Sequence, residues 1–124
     1  MDPDNLREEI QTRLTEIKKR IVHACKASGR DPNEVQILAI SKRQPIEVIQ
    51  AAHNVGILSF GESYVQEALQ KMKVLDGVSD LHWEMVGHIQ SRKARQVAES
   101  FDRIHSLDSL NLAVRLSRSR PQEL

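Results

Sequence analysis

From Asp4 to Ser28 the apolar residues Leu6, Ile10, Leu14, Ile17, Ile21 and Ala24 recur at three- or four-residue steps, with Arg7, Glu8, Glu9, Lys18 and Lys19 between them. That spacing predicts an amphipathic helix. Gly29 is its natural stop, and Asp31-Pro32-Asn33-Glu34 offers a cap, a first-turn proline and a capping-box carboxylate for a short helical turn. The period then changes. Ile37-Leu38-Ala39-Ile40 is an uninterrupted apolar run that stops at Ser41-Lys42-Arg43-Gln44-Pro45. Such a run suits a parallel strand covered on both faces, from about Val35 or Gln36 to Ser41, with Pro45 in the first turn of the next helix.

The alternation continues to the end of the chain. A helix over Pro45 to Val55 buries Ile46, Val48, Ile49 and Ala52, and Gly56 ends it. A second strand covers Ile57 to Phe60, and Gly61 to Glu67 forms the turn out of it. Ser63 and Gln66 make an S-x-x-Q capping box for a helix reaching about Leu75, which Asp76-Gly77 closes. The third strand is Leu81 to Val86, followed by a helix from about Arg92 to Phe101. The fourth strand is Arg103 to Leu107, and Asp108 or Ser109 caps a last helix with Leu110, Leu112, Ala113 and Leu116 on its apolar side. One helix followed by four strand-helix units with short connections implies parallel strands and right-handed crossovers. Periodicity leaves two architectures open, a small doubly wound sheet and part of a closed barrel.

Composition narrows the function classes. The 124 residues suffice for one core and one domain, 1–124. Lys and Arg number 18 against 17 Asp and Glu, a balance that predicts no strong field for nucleic acid or an anionic membrane. Aromatic residues are Trp83, Tyr64, Phe60 and Phe101 alone, too few for a base-stacking platform. The sole cysteine, Cys25, excludes an internal disulfide and a multi-cysteine zinc site, and fits a reducing compartment. The expected location is the cytoplasm, since no apolar run reaches membrane-spanning length and the first residues are acidic rather than signal-like. No dinucleotide-binding or P-loop glycine motif is present.

Polar residues gather at the four strand ends: Lys42; Glu62 and Ser63; His88 with Gln90; His105, Ser106 and Asp108. In parallel sheets these ends form one rim, where ligands bind. Lys42 reads either as a solvated strand-end residue or as an amine that, losing water in an apolar setting, becomes a neutral nucleophile for an aldehyde. Ser63 reads first as a helix cap. His88 and His105 are candidate acid–base groups, though strand-end histidines are more often hydrogen-bonded structural residues. His82 and His88 lack the helical spacing of a metal pair, and no paired carboxylate completes a site. Arg92, Lys93 and Arg95 crowd the start of a helix, which reads as a solvated basic face or as a hint of phosphate. Cys25 reads as core.

Taken together, Leu38-Ala39-Ile40-Ser41-Lys42-x-x-Pro45, Phe60-Gly61-Glu62-Ser63-Tyr64-Val65-Gln66-Glu67, Trp83-x-x-Val86-Gly87-His88-Ile89-Gln90-Ser91-x-Lys93 and His105-Ser106-Leu107-Asp108 closely resemble the YggS/PROSC family of pyridoxal phosphate homeostasis proteins. The resemblance implies the N-terminal half of a fold-type-III (β/α)8 TIM barrel like the alanine racemase N-terminal domain. It also implies pyridoxal 5'-phosphate as cofactor, a Schiff base on Lys42, and Ser63, His88 and Ser106 as further cofactor-binding residues. The role implied is cofactor handling without independent catalysis, with a racemase-like enzyme using His88 or His105 and a half-barrel without cofactor as the alternatives. Ser63 stands where the family usually has Asn, and Glu84 where it usually has His. A carboxylate facing a barrel interior is costly unless paired or protonated. The chain stops where the family begins its fifth strand, so the expectation is a natural fragment or an engineered half. Its first and fourth strands would expose open edges, which self-association into a homodimer would cover.

Overall fold

Asp2 opens the first helix, its carboxylate accepting the Asp4 N–H at 3.2 Å. In the computed structural model, which describes residues 2–120, this helix, α1, runs Pro3–Ser28. Gly29 ends it at φ +74, the left-handed conformation glycine adopts without a Cβ penalty, and the Arg30 N–H closes back on the Cys25 carbonyl. Asp31 caps a short 3₁₀ turn, Pro32–Glu34, through the Asn33 N–H. The expected strand over Val35 to Ser41 shortens to β1, Leu38–Ile40. Pro45 is the N-cap of α2, Ile46–Asn54, one residue outside the helix it was expected to begin.

The described chain falls into two compact units. One takes the residues up to Leu38 together with Gln44–Ile57, in which α1 and α2 pack on each other. Leu14, Cys25, Ile49, Ala51 and Ala52 are its buried residues, so Cys25 is core as expected. The predicted stripe on α1 is only partly covered: Ile17 is 44% exposed and Ala24 faces solvent, while Cys25 takes the buried position.

The other unit takes Ala39–Arg43 and the residues from Leu58 onward. Here β2 (Ser59–Glu62), α3 (Val65–Val74), β3 (His82–Met85), α4 (Ala94–Ser100), β4 (Arg103–Ile104) and α5 (Leu110–Ser119) follow in order. The four parallel strands form one sheet in the order β1-β2-β3-β4. The chain is thus α/β, built of strand-helix units. β2 begins and ends two residues later than predicted, because Gly61 and Glu62 pair with Glu84 and Met85 rather than forming a turn. Asp102 sets the start of β4 by gripping both polar groups of the Trp83 peptide: its carboxylate accepts the N–H and its own N–H donates to the carbonyl, each at 2.8 Å.

Register assigns the two faces. Gly61 pairs with Glu84 and Glu84 with Arg103, so these lie on one face, with Ser63, Val86 and His105 two residues further along. The opposite face carries Phe60, Glu62, Trp83 and Met85, all buried, and Phe60 and Trp83 meet with ring centroids 6.0 Å apart. Of the two residues expected to cap α5, Asp108 and Ser109, it is Ser109 that accepts the Leu112 N–H, at 3.1 Å. Replacing Ser109 by alanine should cost about 1 kcal/mol, seen as a lower urea midpoint with an unchanged slope. Among the described residues no helix is long and apolar enough to cross a membrane, and no group of His, Cys, Asp or Glu side chains could hold a metal ion.

Candidate functional site

The carboxyl ends of the four strands carry the four candidate residues, all within the second unit. Lys42 follows β1, Ser63 follows β2, and His88 and Ser106 lie two or three residues beyond β3 and β4. Three of them adjoin. A Cβ on Gly87 would sit 2.8 Å from the Ser63 Cβ and 2.9 Å from its Cα and carbonyl oxygen, so the bare glycine lets these two strand ends touch. The Ser106 hydroxyl donates to the Gly87 carbonyl at 2.5 Å, drawing the end of β4 to the same point. His88, next in the chain, is largely exposed and lies 3.5 Å from the Asp108 carboxylate.

Lys42 is exposed and makes no ion pair among the described residues. The expected dry setting for its amine is absent because its side chain leaves the sheet at a two-residue turn, not inside a strand. Its neighbours are tied down instead. Ser41 is buried, donating its N–H to the Gly61 carbonyl at 2.9 Å and its hydroxyl to the Glu62 carboxylate. Arg43 adopts φ +62, uncommon for a residue with a side chain, and donates its N–H to Glu67 Oε1 at 2.6 Å. Its guanidinium lies over the Tyr64 ring, 5.1 Å from the centroid, and donates to the Tyr64 hydroxyl at 3.1 Å.

Glu62, expected at the rim, points to the opposite, helix-covered face and is fully buried. Its partner is Lys71 on α3, whose ammonium donates to both Glu62 oxygens at 3.0 and 2.9 Å and to the Ser41 carbonyl at 2.8 Å. Glu67 Oε1 lies 3.0 Å from the same nitrogen. Neither Lys71 nor Glu67 was singled out as a site residue by sequence. A signal existed: Ala68 and Lys71 share the buried stripe of α3, which continues to Leu75 at its C-cap and puts a lysine on an apolar face.

The predicted Ser63–Gln66 capping box does not form. Tyr64 is the N-cap of α3 and no side chain caps it, so Ser63 stays with the strand end against Gly87. Glu84 is buried on the face of the sheet that also carries Gly61, and it is paired: His105 Nε2 lies 2.6 Å from its Oε1 and Arg103 3.8 Å away. The cost of a buried carboxylate at this position is thereby met by neighbours on β4 and its continuation. Arg92 and Lys93 fall in a 3₁₀ turn, Ser91–Lys93, ahead of the seven-residue α4. With Arg95, Arg115 and Arg118, Arg92 lines an open groove of about 300 Å³, where Arg95 pairs with Glu99 at 2.9 Å.

These features define a parallel α/β chain whose four strand ends carry a lysine, two serines and a histidine. No family model matches the chain. It is 44% identical over 115 residues to the pyridoxal phosphate homeostasis protein of Pseudomonas aeruginosa, covering 93% of this chain and 50% of that one. With the protein of the same name from Escherichia coli it is 41% identical over 118 residues, 94% of this chain and 50% of the relative. A structure of PipY from Synechococcus elongatus with PLP bound superposes with a TM-score of 0.75 at 40% identity, over 89% of this chain and 47% of that one. More than nine-tenths of the chain is thus similar to pyridoxal phosphate homeostasis proteins, and it spans about half the length of the curated relatives it matches.

Proposed function

We propose that this chain is a pyridoxal 5'-phosphate-binding element of cofactor homeostasis that holds the cofactor covalently through Lys42, with Ser63, His88 and Ser106 beside it. In this reading the four strand-helix units are half of a TIM barrel. The observation that carries it is the position of Lys42 at the carboxyl end of β1, on the same rim as the other three and free of ion pairs among the described residues. Support comes from the relatives' names and from the PLP-bound state of the PipY structure.

The donor set fits an aldehyde-bearing ligand. Lys42 supplies an amine in contact with solvent, whereas Lys71 has its ammonium committed to carboxylates and a carbonyl. Lys42 would hold the cofactor, which when bound would supply an electrophilic aldehyde carbon for its nitrogen. Ser63 offers a hydroxyl and His88 an imidazole within the same rim. A proton donor and an electronic partner for the ring are what a pyridoxal enzyme must add; the relatives carry the name of homeostasis proteins, and we read the chain as non-catalytic. One observation favours an enzymatic alternative, the carboxylate-bound imidazole of His105. Amino-acid racemisation in the presence of cofactor would establish that alternative.

Incubation with PLP, borohydride reduction and peptide mass spectrometry is expected to find a pyridoxyl group concentrated on Lys42, and Lys42→Ala is expected to abolish it. Even labelling of the surface lysines, unchanged by Lys42→Ala, would sink the assignment. The outer strands of the sheet are β1 and β4. We infer that they pair between copies, so light scattering after size exclusion should report a dimer; a monomer at all concentrations refutes it.

A further inference from the structure

We propose that Glu67, Lys71 and Glu62 are positioning residues for Lys42, holding the main chain on both sides of it so that its amine leaves the sheet in one direction. The inference rests on reading Lys42 as the aldehyde-binding lysine, and it adds three residues that never need to touch the ligand.

The ties bracket the lysine and leave it out. Ser41, before the lysine, has its N–H, carbonyl and hydroxyl all engaged, by Gly61, Lys71 and Glu62 respectively. Arg43, after it, is held by its N–H on Glu67 and by its guanidinium on Tyr64. Lys42 alone in the tripeptide has an exposed side chain without a partner among the described residues. The two anchors are also one structure, because the Lys71 ammonium reaches Ser41, Glu62 and Glu67 together and so spends its three donors.

The left-handed backbone of Arg43 gives this network a specific task. A non-glycine residue stays in that region only where its surroundings over-determine it. The Glu67 carboxylate is the acceptor that does so at the Arg43 N–H. Without it the turn relaxes toward commoner conformations, and the Lys42 side chain samples a wider cone. Bond formation to a rim-bound aldehyde then loses the orientation on which intramolecular reactions depend.

Glu67 allows a clean test, since it is less buried than Glu62 and Lys71. Glu67→Ala removes the acceptor, whereas Glu67→Gln keeps an amide oxygen that can serve the same N–H. With the full 124-residue chain, hydrogen exchange of the segment containing residues 41–44 is expected to quicken in Glu67→Ala and stay at the parent rate in Glu67→Gln. Titration with PLP, followed by borohydride trapping at Lys42, should show the alanine variant weaker by about five- to tenfold and the glutamine variant within about twofold of the parent. Urea midpoints identify any general loss of stability. Parent-like exchange and trapping in Glu67→Ala, or equal losses in both variants, overturns the positioning role. No trapping at Lys42 in the parent overturns the lysine assignment, while the exchange rates still decide whether Glu67 holds the turn.

Discussion

Lys71→Met is expected to destabilise the protein by roughly 3–5 kcal/mol, because it leaves the fully buried Glu62 carboxylate without its counter-charge. The methionine fills much of the space of the lysine stem but offers nothing to Glu62, to the Ser41 carbonyl or to Glu67. Against a total of about 5–15 kcal/mol for a typical domain, that loss removes a large share of the margin. Urea denaturation would read it as a lower midpoint. The double variant Glu62→Gln, Lys71→Met should recover most of the loss: both charges are then gone, and the glutamine oxygen still accepts from the Ser41 hydroxyl. A single variant as stable as the parent would mean that the Glu62–Lys71 pair contributes nothing net.

The second large effect is expected at Gly87. Alanine there would place a methyl group against the Cβ, Cα and carbonyl oxygen of Ser63, two of them main-chain atoms that no side-chain rotation can move. The ends of β2 and β3 must separate, at a cost toward the upper part of the roughly 1–3 kcal/mol typical of overpacking. Gly61→Ala makes the useful comparison. Its methyl would meet the Ile40 Cδ1 at 2.8 Å, but that is the tip of a flexible side chain already 52% exposed, and it can swing aside. Gly61→Ala should therefore cost less than Gly87→Ala, and only Gly87→Ala should also disturb the rim, since Ser106 is bonded to the Gly87 carbonyl. Thermal melts of the two variants, with trapping at Lys42 alongside, would test the ordering; equal losses would refute it.

What sequence disclosed of this molecule was mostly local. The caps at Asp31 and Ser109 and the stop at Gly29 are decided by groups within a few residues of one another, and each lies where the sequence places it. The alternation of strand and helix is legible because apolar period changes along the chain, and Lys42 stood out because an apolar run ends on it. What stayed hidden depends on pairing between distant positions. The Glu62–Lys71 contact spans nine residues and the Lys71–Ser41 contact thirty. Ser63 and Gln66 satisfy the pattern of a capping box, yet the close approach of Gly87 keeps Ser63 with its strand. Glu62 was expected at the rim because β2 was ended too early; two more residues of pairing turn its side chain to the buried face. Glu84 looked like an isolated problem until the register with Arg103 brought His105 beside it.

That last cluster has a bearing on how the Gly61 and Glu84 side of the sheet behaves in water. Glu84, Arg103 and His105 make a hydrophilic island on a surface that also shows Ile40. Stripping hydration from the exposed Arg103 and His105, which pair with the buried Glu84, is expensive unless new polar partners replace it. An oily slab pressed onto that side would be rejected at the β3–β4 end, so indiscriminate stacking of unfolded or neighbouring chains meets a built-in deterrent there, and a durable lid would have to arrive carrying donors and acceptors of its own.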